Sequence, residues 1–279
     1  RILERTGKGL RTFYMGGGTP TTLSAVQLDR LLTRCREVLP LEGCTEYTVE
    51  AGRPDTIDRA KLEVLKGHGV GRISINPQTL EDHVLRAIGR KHAAGDIRAA
   101  NDLARSVGFD CINMDLIAGL PQDSCEGFRR SLEGVLEMEP ENVTIHTLAL
   151  KKGSTLMERG GSLPSGAEVA EMLDFSREIL IRRGYRPYYL YRQKYMSGAL
   201  ENVGWAKPGT ENLYNIIMME ELQTVVSVGG GGVTKLVDYA AGRIVRLPNP
   251  KYPHDYLTSL KKVLAQKEEL IRFYGSELP

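Results

Sequence analysis

Arg11-Thr12-Phe13-Tyr14-Met15-Gly16-Gly17-Gly18-Thr19-Pro20 joins a short β-rich run to three consecutive glycines, and a helical pattern, SAVQLDRLLTRCREVL, starts at Ser24. The same alternation recurs down the chain. EYTVEA precedes TIDRAKLEVLKGHG, RISIN precedes EDHVLRAIG and DIRAANDLARSVG, CINMDLIAG precedes EGFRRSLEGVLEM, and NVTIHTLAL precedes AEVAEMLDFSREILIRRG. The helical segments repeat apolar residues at i, i+3, i+4 and i+7, as Leu28, Leu31, Leu32, Cys35 and Leu39 do, whereas the runs between them are apolar nearly throughout. Such runs are buried on both faces between helices, so five β/α units on a parallel sheet are expected from Arg11 to Gly184. Periodicity alone leaves a barrel and a doubly wound sheet open, and in both the chemistry collects at the C-terminal ends of the strands. Ser24 and Thr56 are placed to cap the first two helices, and Gly69, Gly108 and Gly184 to end the helices before them.

After Gly184 the rhythm changes to the tyrosine-rich YRPYYLYRQKY, a loop SGALENVGWAKPGTEN, a glycine-rich run and a final helical pattern. Residues 1–185 therefore read as the α/β domain and residues 186–279 as a C-terminal accessory region. Composition excludes a disordered, collagen-like or disulfide-stapled chain: 279 residues, 41% hydrophobic and 26% charged, suffice for a large core. The net charge of +2 is interspersed, with no basic tract for nucleic acid. No apolar stretch approaches the ~20 residues of a membrane span and no signal peptide is visible, so a cytoplasmic protein with a small-molecule partner is expected.

Polar groups punctuate the strand ends. Gly16, Gly17 and Gly18 allow close approach of a ligand to backbone amides, and Thr19 adds a hydroxyl. Glu50 ends the second β-run, Asn76-Pro77-Gln78 ends the third, Arg90 follows a helix, and Asp115 interrupts an apolar strand, where a carboxylate needs a partner. Their convergence on one sheet edge would make a polar ligand site. His146 faces either the core or a substrate, while His68, His83, His92 and His254 are expected at the surface or at caps. The four cysteines, at 35, 44, 111 and 125, have no metal-binding spacing and read as ordinary thiols.

In this order YMGGGTPTTL, TVEAGRPD, RISINPQT, AIGRKH and INMDLIAGLP resemble the radical S-adenosylmethionine (SAM) enzymes of the oxygen-independent coproporphyrinogen III oxidase family. YYLYRQKYM and ENVGWAKPG resemble one branch of it, the HemZ-like coproporphyrinogen dehydrogenases. The resemblance implies a partial (β/α)6 barrel, a [4Fe–4S] cluster on a CxxxCxxC motif, and radical oxidative decarboxylation of porphyrinogen propionates to vinyl groups in haem biosynthesis. It further implies that Gly17, Gly18 and Thr19 meet the methionine end of SAM, with Glu50 a nearby acceptor. Gln78 and Arg90 would hold ribose and carboxylate, Asp115 another polar part of the nucleotide, and Leu148 and Ala149 would flank the adenine. Tyr188, Tyr191, Arg192 and Lys194, interleaving aromatic and cationic groups, suit a tetrapyrrole bearing carboxylates. No catalytic residue is assigned. The chain lacks CxxxCxxC and opens on Arg1 rather than methionine, so the cluster ligands and first barrel strand are expected upstream of Arg1, with no metal ligand here and no cleavage of SAM by this chain alone. A haem-binding chaperone of the same family, and a radical SAM enzyme acting on another tetrapyrrole, are the competing readings.

Overall fold

The computed structural model describes residues 9–149, 163–192 and 200–275. Along the chain run β1 (Thr12–Met15), α1 (Ala25–Val38), β2 (Glu46–Glu50), α2 (Arg59–Gly67), β3 (Arg72–Ser74), α3 (Asp82–Ala87), α4 (Ala94–Val107), β4 (Cys111–Ala118), α5 (Cys125–Glu137), β5 (Asn142–Thr147), α6 (Gly166–Arg182), β6 (Arg186–Tyr191) and β7 (Asn202–Ala206). These are followed by α7 (Leu213–Met219), the β8 (Val233–Asp238) and β9 (Arg243–Pro248) hairpin, α8 (Pro253–Thr258) and α9 (Leu260–Gly275).

The five expected β/α units are all present. Helix starts follow side-chain chemistry: Ser24 and Gln27 form a reciprocal capping box on α1, as do Ser165 and Glu168 on α6. The second helix is capped differently from expectation. Asp58 accepts the Lys61 amide at 2.9 Å, because Thr56 is taken up by a separate single turn, Pro54–Thr56. Gly108, at φ +95°, ends α4 in the left-handed conformation that a β-carbon disfavours.

One seven-stranded sheet has the order β1-β2-β3-β4-β5-β7-β6. It is parallel from β2 to β5; β7 lies antiparallel to β5, with Val143 opposite Trp205, and β6 lies antiparallel to β7. The sheet is thus a curled, mostly parallel half-barrel, as the resemblance implied. It runs past residue 185: β6 and β7, assigned from sequence to the accessory region, are hydrogen-bonded members of it. The chain divides into two compact units, one built from Phe13–Leu39 and Glu46–Asn212, the other comprising Pro40–Thr45, the chain up to Thr12 and the chain from Leu213. The second has its own core of Leu236, Leu270 and Phe273.

Burial along β4 corrects the expectation of strands buried on both faces. Ile112, Met114, Leu116 and Ala118 are fully buried, whereas Cys111, Asn113, Asp115 and Ile117 are half-buried. The period of two puts Asn113 and Asp115 on a polar inner face, where neighbouring strands add Ser74, Thr144, His146, Tyr189 and Tyr191. On that face the Tyr189 ring packs against Gly204 of β7, where a β-carbon would overlap it.

Candidate functional site

The glycine run leaves β1 beside the end of β2. Gly16 is the position that tolerates no side chain, since a β-carbon there would lie 2.5 Å from the Glu50 carboxyl carbon and 2.6 Å from the Tyr14 ring; at Gly17 and Gly18 the same atom would meet nothing within 4 Å. The Tyr14 hydroxyl donates to Glu50 Oε1, and the Gly17 amide donates to Oε2 at 3.2 Å with Gly17 at φ +94°. Burial pushes the Glu50 carboxyl above the ordinary range, partly offset by these two donors and reinforced by the nearby Asp115 charge. Thr19 turns the chain, its carbonyl accepting from the Thr22 amide at 2.9 Å. The loops after β1 and β2 are tied together by Lys61, whose ammonium donates to the Thr21 and Thr56 carbonyls at 2.9 and 2.8 Å.

Asp115 is at the centre of the inner face. Its Oδ1 accepts from Asn113 Nδ2 at 2.7 Å, and its Oδ2 lies 3.4 Å from His146 Nε2. Burial alone would raise this carboxyl, but hydrogen bonds from His146, Asn113 and Thr144, with attraction to the His146 ring whenever it is protonated, hold it below the usual range. Gln78 reaches the same place through the backbone. Its amide donates to the Asp115 carbonyl and its carbonyl accepts from the Ile117 amide, each at 2.9 Å, while φ of +68° marks a left-handed conformation unusual for a residue with a side chain.

Glu50, Gln78 and Asp115 are therefore brought together. Arg90 has other neighbours: Arg53 and Asp55, which pair with each other at 2.8 Å, and His92. Its guanidinium makes no hydrogen bond or ion pair with any described residue, and burial, with Arg53 beside it, depresses its pKa. A partly buried guanidinium that has Asp55 nearby but no direct ion pair with a described residue is suited to an anionic ligand group. His92, expected at the surface, is buried, with Asp55 3.8 Å from its Nδ1. Leu148 and Ala149 continue β5, the Leu148 amide donating to the Ala118 carbonyl.

Among the residues expected from sequence to face the substrate, Tyr191 is hydrogen-bonded to His146, hydroxyl and Nδ1 3.1 Å apart, and is parallel to Tyr189, with ring centres 6.2 Å apart. Tyr188 is the extra residue of a bulge and packs edge-on against Tyr189. Arg192 is exposed and paired with Glu201 at 3.0 Å, which matches a solvated strand end; Lys194 lies outside the described residues. Sequence reasoning missed Tyr14, Lys61, Asn113 and Tyr189. Only the polar alternation Asn113-Met114-Asp115 within β4 signalled one of them.

Residues 1–133 match the family model described as the Radical SAM superfamily. The oxygen-independent coproporphyrinogen-III oxidase-like protein HemZ of Bacillus subtilis is 43% identical over 248 residues, 88% of this chain and 50% of the relative. The chain belongs to the radical SAM superfamily. The heme chaperone HemW of Lactococcus lactis is 33% identical over 266 residues, 94% of this chain and 65% of that protein. Among solved structures, coproporphyrinogen III oxidase (HemN) of Escherichia coli superposes with a TM-score of 0.73 at 23% identity, covering 94% of this chain and 60% of that one, a likeness of fold. The chain spans about half to two thirds of the length of these relatives.

Radical SAM proteins use SAM and a [4Fe–4S] cluster. The residues here fit the nucleotide: Glu50 and Asp115 favour its cationic end, Arg90 its carboxylate, and the open faces of Gly17 and Gly18 a close backbone approach. They do not fit the cluster. The four free cysteines lie on or beside different elements, burial raises the Cys35, Cys125 and Cys111 thiols, the last to about 11, and no described group of three or more His, Cys, Asp or Glu could hold a metal ion. Among the described residues no helix is long and apolar enough to cross a membrane.

Because folding raises the Glu50 pKa, its stabilising contribution is complete below the unfolded value of about 4.3 and is lost as pH rises through the higher folded value. Glu50→Gln stays neutral. It should raise the unfolding temperature at pH 8, by the few degrees that about 1 kcal/mol provides, and should leave the variant unable to retain SAM in equilibrium dialysis. A lower unfolding temperature at pH 8 would contradict the electrostatic account.

Proposed function

We propose that the chain is the nucleotide- and tetrapyrrole-binding part of a protein that oxidatively decarboxylates coproporphyrinogen III, working in the cytoplasm. The observation that carries this reading is the inner face itself. Two carboxylates suited to a cation, Glu50 and Asp115, adjoin a tyrosine- and histidine-lined wall through the bridge Asp115–His146–Tyr191. Similarity to HemZ over 88% of the chain supports the substrate class.

In this reading Glu50 accepts from the ligand ammonium, Arg90 grips its carboxylate, and Asp115 with the Gln78 backbone fixes the nucleotide's polar edge. SAM supplies the radical chemistry when bound with a reducing centre; this chain's part is to bind, to orient and to exclude water. The aromatic wall, half-buried Tyr191 backed by buried Tyr189, suits the flat faces of a tetrapyrrole. A second reading, a haem carrier, has the 33% identity to HemW in its favour. The full-length protein, reconstituted with iron and sulfide and given SAM, reductant and coproporphyrinogen III under anaerobic conditions, decides between them. Protoporphyrinogen is the expected product; stoichiometric haem binding without it would establish the carrier.

A further inference from the structure

The bridge between the two halves of the inner face has a defined polarity. Asp115 is held as a carboxylate and can only accept, so the His146 Nε2 that faces it at 3.4 Å carries a hydrogen. Whenever the ring is neutral, Nδ1 is then an acceptor and the Tyr191 hydroxyl 3.1 Å away donates to it. In that state the tyrosine's one hydrogen is given to His146, and its oxygen acts as an acceptor. The ring is set by its parallel partner Tyr189, whose own hydroxyl lies 3.4 Å from Thr144 Oγ1.

We propose that Tyr191 is a specificity-determining acceptor for the pyrrole N–H groups of a reduced tetrapyrrole, and that the Asp115–His146 pair imposes this polarity on it. The inference rests on the tetrapyrrole reading above and departs from the expectation that Tyr191 meets ligand carboxylates, which are acceptors themselves. A porphyrinogen carries four N–H donors on a puckered ring that can turn them to one face. A metallated porphyrin has none, and gains nothing from an acceptor.

The test compares two ligands with the same carboxylate periphery at pH 8. Palladium(II) coproporphyrin III, four-coordinate and without N–H, is titrated directly by its phosphorescence; coproporphyrinogen III is then measured by displacing it anaerobically. The wild-type chain should prefer the porphyrinogen. Tyr191→Phe should weaken the porphyrinogen by roughly tenfold, the size of one hydrogen bond, with palladium affinity unchanged, and unchanged palladium affinity also shows that the variant is folded. His146→Phe, which frees the tyrosine hydrogen, should erase the same preference. Equal weakening of both ligands by Tyr191→Phe, or no effect on either, overturns the inference while the tetrapyrrole reading stands. Failure of the wild-type chain to bind either ligand overturns both.

Discussion

Asp115→Asn should destabilise the sheet-containing unit by about 3 kcal/mol at pH 7. The amide retains the shape and one acceptor, but presents a second donor to His146 Nε2 where the wild type has a carboxylate oxygen at 3.4 Å. The carboxyl is depressed in the folded protein, so its stabilising contribution is complete above the unfolded value of about 3.9 and is lost as pH falls through the lower folded value. Urea unfolding followed at pH 7 and pH 3 should show a large difference between variant and wild type at the first and a much smaller one at the second. Curves separated equally at both pH values would mean that packing, and not charge, sets the effect.

Arg72→Met should be at least as severe, about 3–5 kcal/mol, for a reason remote from the ligand. Arg72 is buried inside β3 and bonds the Asn142 side chain and the Thr210 and Glu211 carbonyls, the latter two at 2.8 and 3.2 Å, with Glu46 3.6 Å away. Methionine fills the volume but takes the nearby cation from Glu46 and the donor from the Glu211 carbonyl, while the Thr210 carbonyl keeps the Asn142 amide at 2.9 Å. Because the chain holds two compact units, a single free energy for the whole is ill-defined. The expected signature is a lower transition seen by Trp205 fluorescence, with faster tryptic cleavage at Lys207. Adding Glu46→Gln should restore part of the loss; no recovery would argue against the lost attraction between Arg72 and Glu46 as the cause.

The alternation of β-runs and amphipathic helices was enough to read the five β/α units and their parallel order, because each helix has its own apolar stripe and its own stop. The role of β7 was not legible. NVGWA is short and follows a loop, and nothing in its pattern says that it will pair with β5 rather than extend the accessory region. At the site, Glu50 and Asp115 stood out because a carboxylate in an apolar run is costly without partners. Their partners were harder to read: Tyr14 looks like an ordinary strand residue until β1 is brought beside β2, and Asn113, two residues before Asp115 on β4, was signalled only by the polar alternation of that strand. His92 was misplaced because a histidine between Lys91 and Ala93 gives no sign of burial until Asp55 is brought beside it from the loop after β2.

The position of β7 between β5 and β6 also orders events in time. β6 has no partner in the sheet except β7, so it cannot add to the growing edge by itself as β2 to β5 can. The sheet from β2 to β5 grows by neighbours in chain order, each close in sequence, and such contacts form early. The β6–β7 ribbon is expected to dock as one piece, as a late step in refolding. The chain's single tryptophan, Trp205, sits on the docking strand opposite Val143. Its fluorescence therefore reports the closure of the sheet and lags behind the far-ultraviolet signal of the helices.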